Sequence, residues 1–268
     1  MSIPSIPAPT VDLGVGQAEE VDRYEAVRQY SLAGILGVWA AAALPMAVLA
    51  WVVAPWLRDQ LGGKEPLAQA LLILLTLGLV WQFVLVVILT WRELGTLRWS
   101  RVRNALWLRA PRDPKSGRVG GRVWLWLLPF ILVFALEQAL PAISGPLQRD
   151  FGTFLGDDRG KAFFEGAWGW FAVIIVLSVF NTVLGEELLF RGLLLPRMRG
   201  VFGKYDWVAN GLLFSIYHLH VPWVIPASLV DIVALAYPSR RFQSAWMGII
   251  VHSTQSVFII ILVFTVVR

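Results

Sequence analysis

Glu186 and Glu187 stand side by side behind a long apolar run, and Arg191 follows the second acid by four residues. On a helix that spacing lets Glu187 pair with Arg191, with the acid on the N-terminal side as the geometry prefers. Glu186 then points about 100° away and is free to act as a general base on water. The three histidines, His218, His220 and His252, all fall in the last third of the chain. His218 shares a helical face with Phe214, and His252 is followed by Gln255 and Ser256 at i+3 and i+4. A carboxylate, two imidazoles, an orienting ion pair and polar donors together suit activation of water and stabilisation of an oxyanion. His220, beside Pro222 and Trp223, reads as an interfacial residue.

The elements that must position these groups are apolar. Hydrophobic residues make up 57% of the 268 residues and charged residues only 15%, against about a quarter charged in soluble domains. Runs such as Leu67–Trp91 and Gly166–Leu184 reach the ~20 residues that cross a bilayer as helix. Lipid offers the backbone no partners, so the runs are helical unless they close a barrel, and they lack the alternating polarity of barrel strands. The expectation is an all-α, polytopic integral membrane bundle of about seven apolar segments. They lie near 31–54, 67–90, 123–141, 167–189, 207–221, 223–237 and 242–266. The fifth and sixth are short and broken by Pro222 and Pro226, as segments lining a cavity are. A cavity-containing catalytic core in the C-terminal half follows.

Charge sets the expected orientation. Net charge is +5, and residues 91–122 hold nine basic residues against the two acids Glu93 and Asp113. Between two spans this is a cytoplasmic loop under the positive-inside rule rather than a nucleic-acid surface. Leu97–Leu108 interleaves tryptophans with arginines as an interfacial helix does. The expected order is a disordered cytoplasmic tail over 1–30, a membrane hairpin with the basic loop over 31–122, and a further membrane domain over 123–268. Arg191, Arg197, Arg199 and Lys204 are placed on the cytoplasmic side. The partners implied are the lipid bilayer of the cell membrane and a membrane-associated substrate. There is no cysteine, which excludes thiolate chemistry and disulfides. Basic residues keep to the tail, loops and terminus, whereas Glu137, Glu186, Glu187 and Asp231 lie in or at the edge of apolar segments. An ionisable group at membrane depth is a functional candidate by default.

The ordered set Glu-Glu-x-x-x-Arg at 186–191, Phe-x-x-x-His at 214–218 and His252 in a later span resembles the CAAX prenyl endopeptidase and bacteriocin-processing (CPBP) family of intramembrane proteases. The likeness runs over about 123–268, and Thr90-Trp91-Arg92-Glu93-Leu94-Gly95 is similar to the stretch that often precedes that domain. The resemblance implies that Glu186 activates the attacking water with help from His218, and that Glu187 and Arg191 hold the first motif in shape. It implies that His252 binds the developing oxyanion together with the residue four positions on, which is Ser256 here where the family usually has Asn; Gln255 stands next to it. Family members are often called metalloproteases, and Glu186, His218 and His252 could ligate zinc with one position open. Water activated by the glutamate alone is the other form of the chemistry.

Two readings from other classes compete. A proton-coupled transporter could use Glu137, Asp231 and the histidines as a relay, though internal repeats are absent and spans few. A non-catalytic scaffold or immunity-type member is favoured by Ser256.

Overall fold

The computed structural model describes residues 27–137, 143–146 and 148–268. The expected polar tail therefore lies, up to residue 26, outside the described residues. Six helices carry the architecture: α1 (Leu32–Arg58), α2 (Pro66–Leu94), α3 (Leu127–Glu137), α4 (Trp168–Arg197), α5 (Asp206–Tyr217) and α6 (Ala245–Val267). Short helices such as Trp99–Ala105, Phe151–Gly156 and Asp158–Phe164 join them. No named strand occurs among the described residues, only an isolated bridge between Arg112 and Val119.

Four helices, α1, α2, α4 and α6, are long and apolar enough to cross a membrane. The other three expected segments are not among the helices of that length and polarity in the described residues. The twelve residues of α5 extend only about 18 Å, short of the ~30 Å hydrocarbon layer. Eleven residues of α3 are described, and the end of the expected 123–141 segment lies outside the described residues. The 223–237 segment is no single helix but a chain of turns, Pro222–Val224, Ala227–Val230 and Ile232–Ala236. Pro222 and Pro226 each lack the N–H that would carry a helix through.

The long helices differ in what surrounds them. Only 22% of the most apolar window of α1 is buried within the protein, against 50% for α4. Leu44, Val52 and Trp56 of α1 face outward, as a lipid-facing surface requires. In contrast, Leu189, Phe190, Leu193 and Leu194 of α4 are fully enclosed, packed with Leu79 of α2 and Phe214 and Tyr217 of α5. Small residues allow the close approach: a Cβ at Gly78 would strike Met46 Sδ at 2.1 Å, and one at Gly185 would lie 3.1 Å from the Leu79 carbonyl. Such contacts are how membrane helices associate without a hydrophobic drive between them.

Prolines inside α1 are accommodated by side chains from elsewhere. Pro45 cannot donate to the Ala41 carbonyl, and the Trp81 indole N–H of α2 takes that acceptor at 2.9 Å. The Ala50 carbonyl, five residues before Pro55 in a π-helical turn (Leu49–Val53), accepts from Arg149 Nη1 at 2.9 Å. Each carbonyl is therefore satisfied where water is scarce.

Candidate active site

The acidic pair was placed at the end of an apolar helix, yet α4 continues past it to Arg197. Glu186 and Glu187 sit in its interior, 2% and 0% exposed. They lie between two π-helical stretches, Phe180–Gly185 and Leu188–Leu194. The i→i+5 pattern inserts extra residues into the helix and is often found at functional sites. Gly185 belongs to this distortion, since a Cβ there would stand 2.5 Å from the Phe180 carbonyl oxygen.

The two carboxylates have different partners. Glu187 Oε1 accepts from His252 Nδ1 of α6 at 3.0 Å and lies 3.1 Å from Arg191 Nη1. The arginine contact is an ion pair whose angle misses that of a hydrogen bond. The Arg191 guanidinium also lies 4.0 Å from the centre of the Phe214 ring. Glu187 Oε2 faces Gly248 of α6, where an added Cβ would come within 2.5 Å of it; the glycine makes room for the carboxylate. Glu186 has no ion-pair partner of its own among the described residues. Its oxygens accept from the Asn181 amide at 3.0 and 3.3 Å, with that amide oriented to donate. It also senses the charges of His252, Glu187 and Arg191.

The histidines are oriented by fixed acceptors. His218 Nδ1 lies 3.0 Å from the Phe214 carbonyl. A carbonyl only accepts, so Nδ1 carries the hydrogen and Nε2 of the neutral ring is the basic nitrogen. The His218 ring is thus fastened to its own helix, and its rim packs edge-on to Phe214 at 5.0 Å. His252 stands between Phe134 of α3 and Phe214 of α5, 5.7 and 6.0 Å between ring centres. Phe214 therefore touches Arg191, His218 and His252 together. Glu137 and Asp231 are electrostatic neighbours of His252 on a further side.

Other expected residues fall differently. The Ser256 hydroxyl donates to Thr182 Oγ1 at 3.2 Å, and Thr182 donates to the Ser178 carbonyl at 3.1 Å. It is part of a hydroxyl ladder joining α6 to α4. Gln255 is only partly buried. His220, expected at the interface, is buried and stacked against His218 at 5.7 Å. The turn His218–His220 ends α5 and folds that ring back under its neighbour. Arg191 and Arg197, expected on the cytoplasmic face, are both fully buried inside α4. The zinc set of Glu186, His218 and His252 is not assembled. Among the described residues, no group of three or more His, Cys, Asp or Glu side chains is placed to hold a metal ion. A groove of 580 Å³ at the ends of α1 and α2, lined by Arg28, Tyr30, Ser31 and Arg92, holds none of the site residues.

Three contributors escaped the sequence reading: Asn181, Tyr217 and Gln82. Gln82 is fully buried midway along α2 and donates to the Tyr217 hydroxyl at 2.6 Å. Its signal was a lone amide within the Leu67–Trp91 run, a polar group where lipid or packing would otherwise demand an apolar one.

A membrane-embedded helical centre with one unpaired glutamate, two oriented imidazoles and a buried ion pair is now defined. Residues 168–258 match the family described as Rce1-like, Type II CAAX prenyl endopeptidase Rce1-like. The match spans about a third of the chain, and all of Glu186, Glu187, Arg191, His218 and His252 fall within it. No curated protein matches the chain, and no solved structure does.

Proposed function

We propose that the protein is an intramembrane endopeptidase that hydrolyses a peptide bond of a membrane-associated or lipidated peptide, with Glu186 as general base. The carrying observation is the division of labour in the acidic pair. Glu187 is engaged by Arg191 and His252, whereas Glu186 accepts from the neutral Asn181 amide. A carboxylate without an ion-pair partner can take a proton from water. The resulting hydroxide attacks the scissile carbonyl carbon. Paired with Glu187, a protonated His252 can present Nε2–H to the oxyanion of the tetrahedral intermediate. The proton held by Glu186 passes to the leaving nitrogen as the C–N bond breaks, giving a carboxylic acid and an amine, and the acid then loses its proton to solvent. His218, with Nδ1 committed to Phe214, has Nε2 left to orient the water. By the positive-inside rule, the basic stretch 91–122 places its end of the molecule in the cytoplasm.

The family's printed description names a prenyl endopeptidase, so the first probe is a quenched fluorescent peptide ending in a prenylated Cys-aliphatic-aliphatic-X sequence, beside its unprenylated form. With purified protein in nanodiscs, Glu186→Gln is expected to lower turnover by roughly 10²–10⁴-fold, the usual range for a general base, with the melting temperature unchanged. Undiminished cleavage by that variant would remove Glu186 from the mechanism.

A further inference from the structure

We infer that the groove at the shared end of α1 and α2 is a binding site for an anionic phospholipid, its phosphate held between Arg28 and Arg92 and an acyl chain laid along Val38 and Leu89. The inference needs only the membrane setting and is independent of the hydrolytic reading of Glu186. The groove has a volume of 580 Å³ and is lined by both arginines, by Tyr30 and Ser31, and by the aliphatic Val38 and Leu89. Val38 lies six residues into α1 from Leu32, about 9 Å along the helix, and Leu89 lies three residues before Arg92. The groove therefore passes from guanidinium groups to aliphatic side chains on the scale of one headgroup layer, roughly 5–8 Å. On the same turns Leu32, Leu36, Ile88 and Trp91 are exposed, so the surface beside the groove is one that faces lipid.

The wall that carries Arg28 is fixed. The Tyr30 N–H donates to the Arg197 carbonyl at 3.0 Å, the Gln29 amide donates to the Pro196 carbonyl at 3.0 Å, and the Gly200 N–H donates back to Gln29 Oε1 at 3.0 Å. The segment before α1 is thus strapped to the end of α4. Glu93 also lines the groove, but its carboxylate is neutralised by two hydrogen bonds from Arg197 at 2.8 and 2.9 Å and accepts from the Tyr30 hydroxyl at 3.3 Å. Arg28 and Arg92 are exposed and have no ion pair among the described residues. Two guanidinium groups on one groove suit a phosphate, which they grip bidentately. The aliphatic floor selects a phosphate that carries acyl chains over a soluble one, and basic residues at a membrane surface are drawn to anionic lipids.

The test titrates the full-length protein in detergent with phosphatidylglycerol or phosphatidylcholine, reading lipid-bound species by native mass spectrometry and the thermal midpoint in parallel. Phosphatidylglycerol is expected to bind and to raise the midpoint, and phosphatidylcholine to do neither at the same concentration. Arg28→Gln and Arg92→Gln should each weaken phosphatidylglycerol binding by roughly fivefold, and the double variant by roughly thirtyfold, the scale for basic residues beside an anionic headgroup. A control pair, Arg101→Gln with Arg103→Gln, lies exposed on the short helix Trp99–Ala105 and outside the groove, and should leave binding unchanged. Soluble glycerophosphoglycerol should not compete. Equal binding of the two lipids, a double groove variant that binds as the wild type does, an equal loss in the control pair, or full competition by the soluble headgroup would each overturn the inference. So would a lower midpoint of the groove variants without lipid, which would assign both arginines to the fold.

Discussion

Two buried arginines on α4, six residues apart, have opposite surroundings. Arg197 uses all three guanidinium nitrogens: two donate to Glu93 at 2.8 and 2.9 Å, and the third to the carbonyls of Leu193 and Ala105 at 2.8 and 3.1 Å. Tyr30 adds its hydroxyl to the same glutamate at 3.3 Å. Arg191 is as deeply buried, yet none of its nitrogens has a partner in hydrogen-bond geometry; it has the Glu187 ion contact and the Phe214 face. A buried charge is tolerated in a purely structural role when its donors are satisfied. By that measure Arg197 is a latch, tying α2 through Glu93 to the end of α4. Arg191 is held less completely, and its setting is the one that contains the acids and histidines able to do chemistry. The difference separates what holds the fold from what the site keeps for use.

The comparison can be broken in three places. The largest effect on stability belongs to the latch. Arg197→Met strands Glu93 and two carbonyls, and should cost roughly 3–5 kcal/mol, read as a fall in thermal midpoint in detergent. The fraction that remains folded should turn over at the wild-type rate, and an unchanged midpoint would end the latch argument. Glu187→Gln should act the other way round. Its amide still reaches His252 but no longer balances Arg191, so the stability loss is smaller, roughly 1–3 kcal/mol, while kcat per folded molecule falls by about a hundredfold. Equal kcat in the two variants would erase the distinction between the pairs. The smallest effect is assigned to Ser256→Ala. Its hydroxyl is turned to Thr182, so a loss of about 1 kcal/mol of stability and a less than roughly threefold change in rate are expected. A larger rate loss would return Ser256 to the oxyanion site.

The site's inventory was legible because its residue types are rare at membrane depth. Glu186, Glu187, Arg191, His218 and His252 stand out against apolar neighbours, and the i,i+4 spacing of Glu187 and Arg191 made their contact predictable. The latch was only half legible. Glu93 lay in a stretch noted for its likeness to the family, but Arg197 was assigned to the surface because a basic residue after an apolar run ordinarily lies there. Nothing local told that α4 would continue through Arg191 and Arg197, since its π-helical turns depend on packing against α2 at Gly185 and Leu79.

By itself, then, the sequence determined the membrane setting and which ionisable groups lie within the apolar runs. Long apolar runs require helices that satisfy their own backbone, and ionisable groups within them require partners. Tertiary structure decided the pairing: which acid took Arg191 and His252, and which was left to a neutral amide. It also decided that four helices are long enough to span while the expected short sixth segment is a chain of turns, and that Gln82 reaches Tyr217 from 135 residues away. Those outcomes depend on which helix faces approach closely enough for a hydrogen bond. Such approaches are set by small residues and distorted turns acting across the bundle, and no local pattern of polarity encodes them.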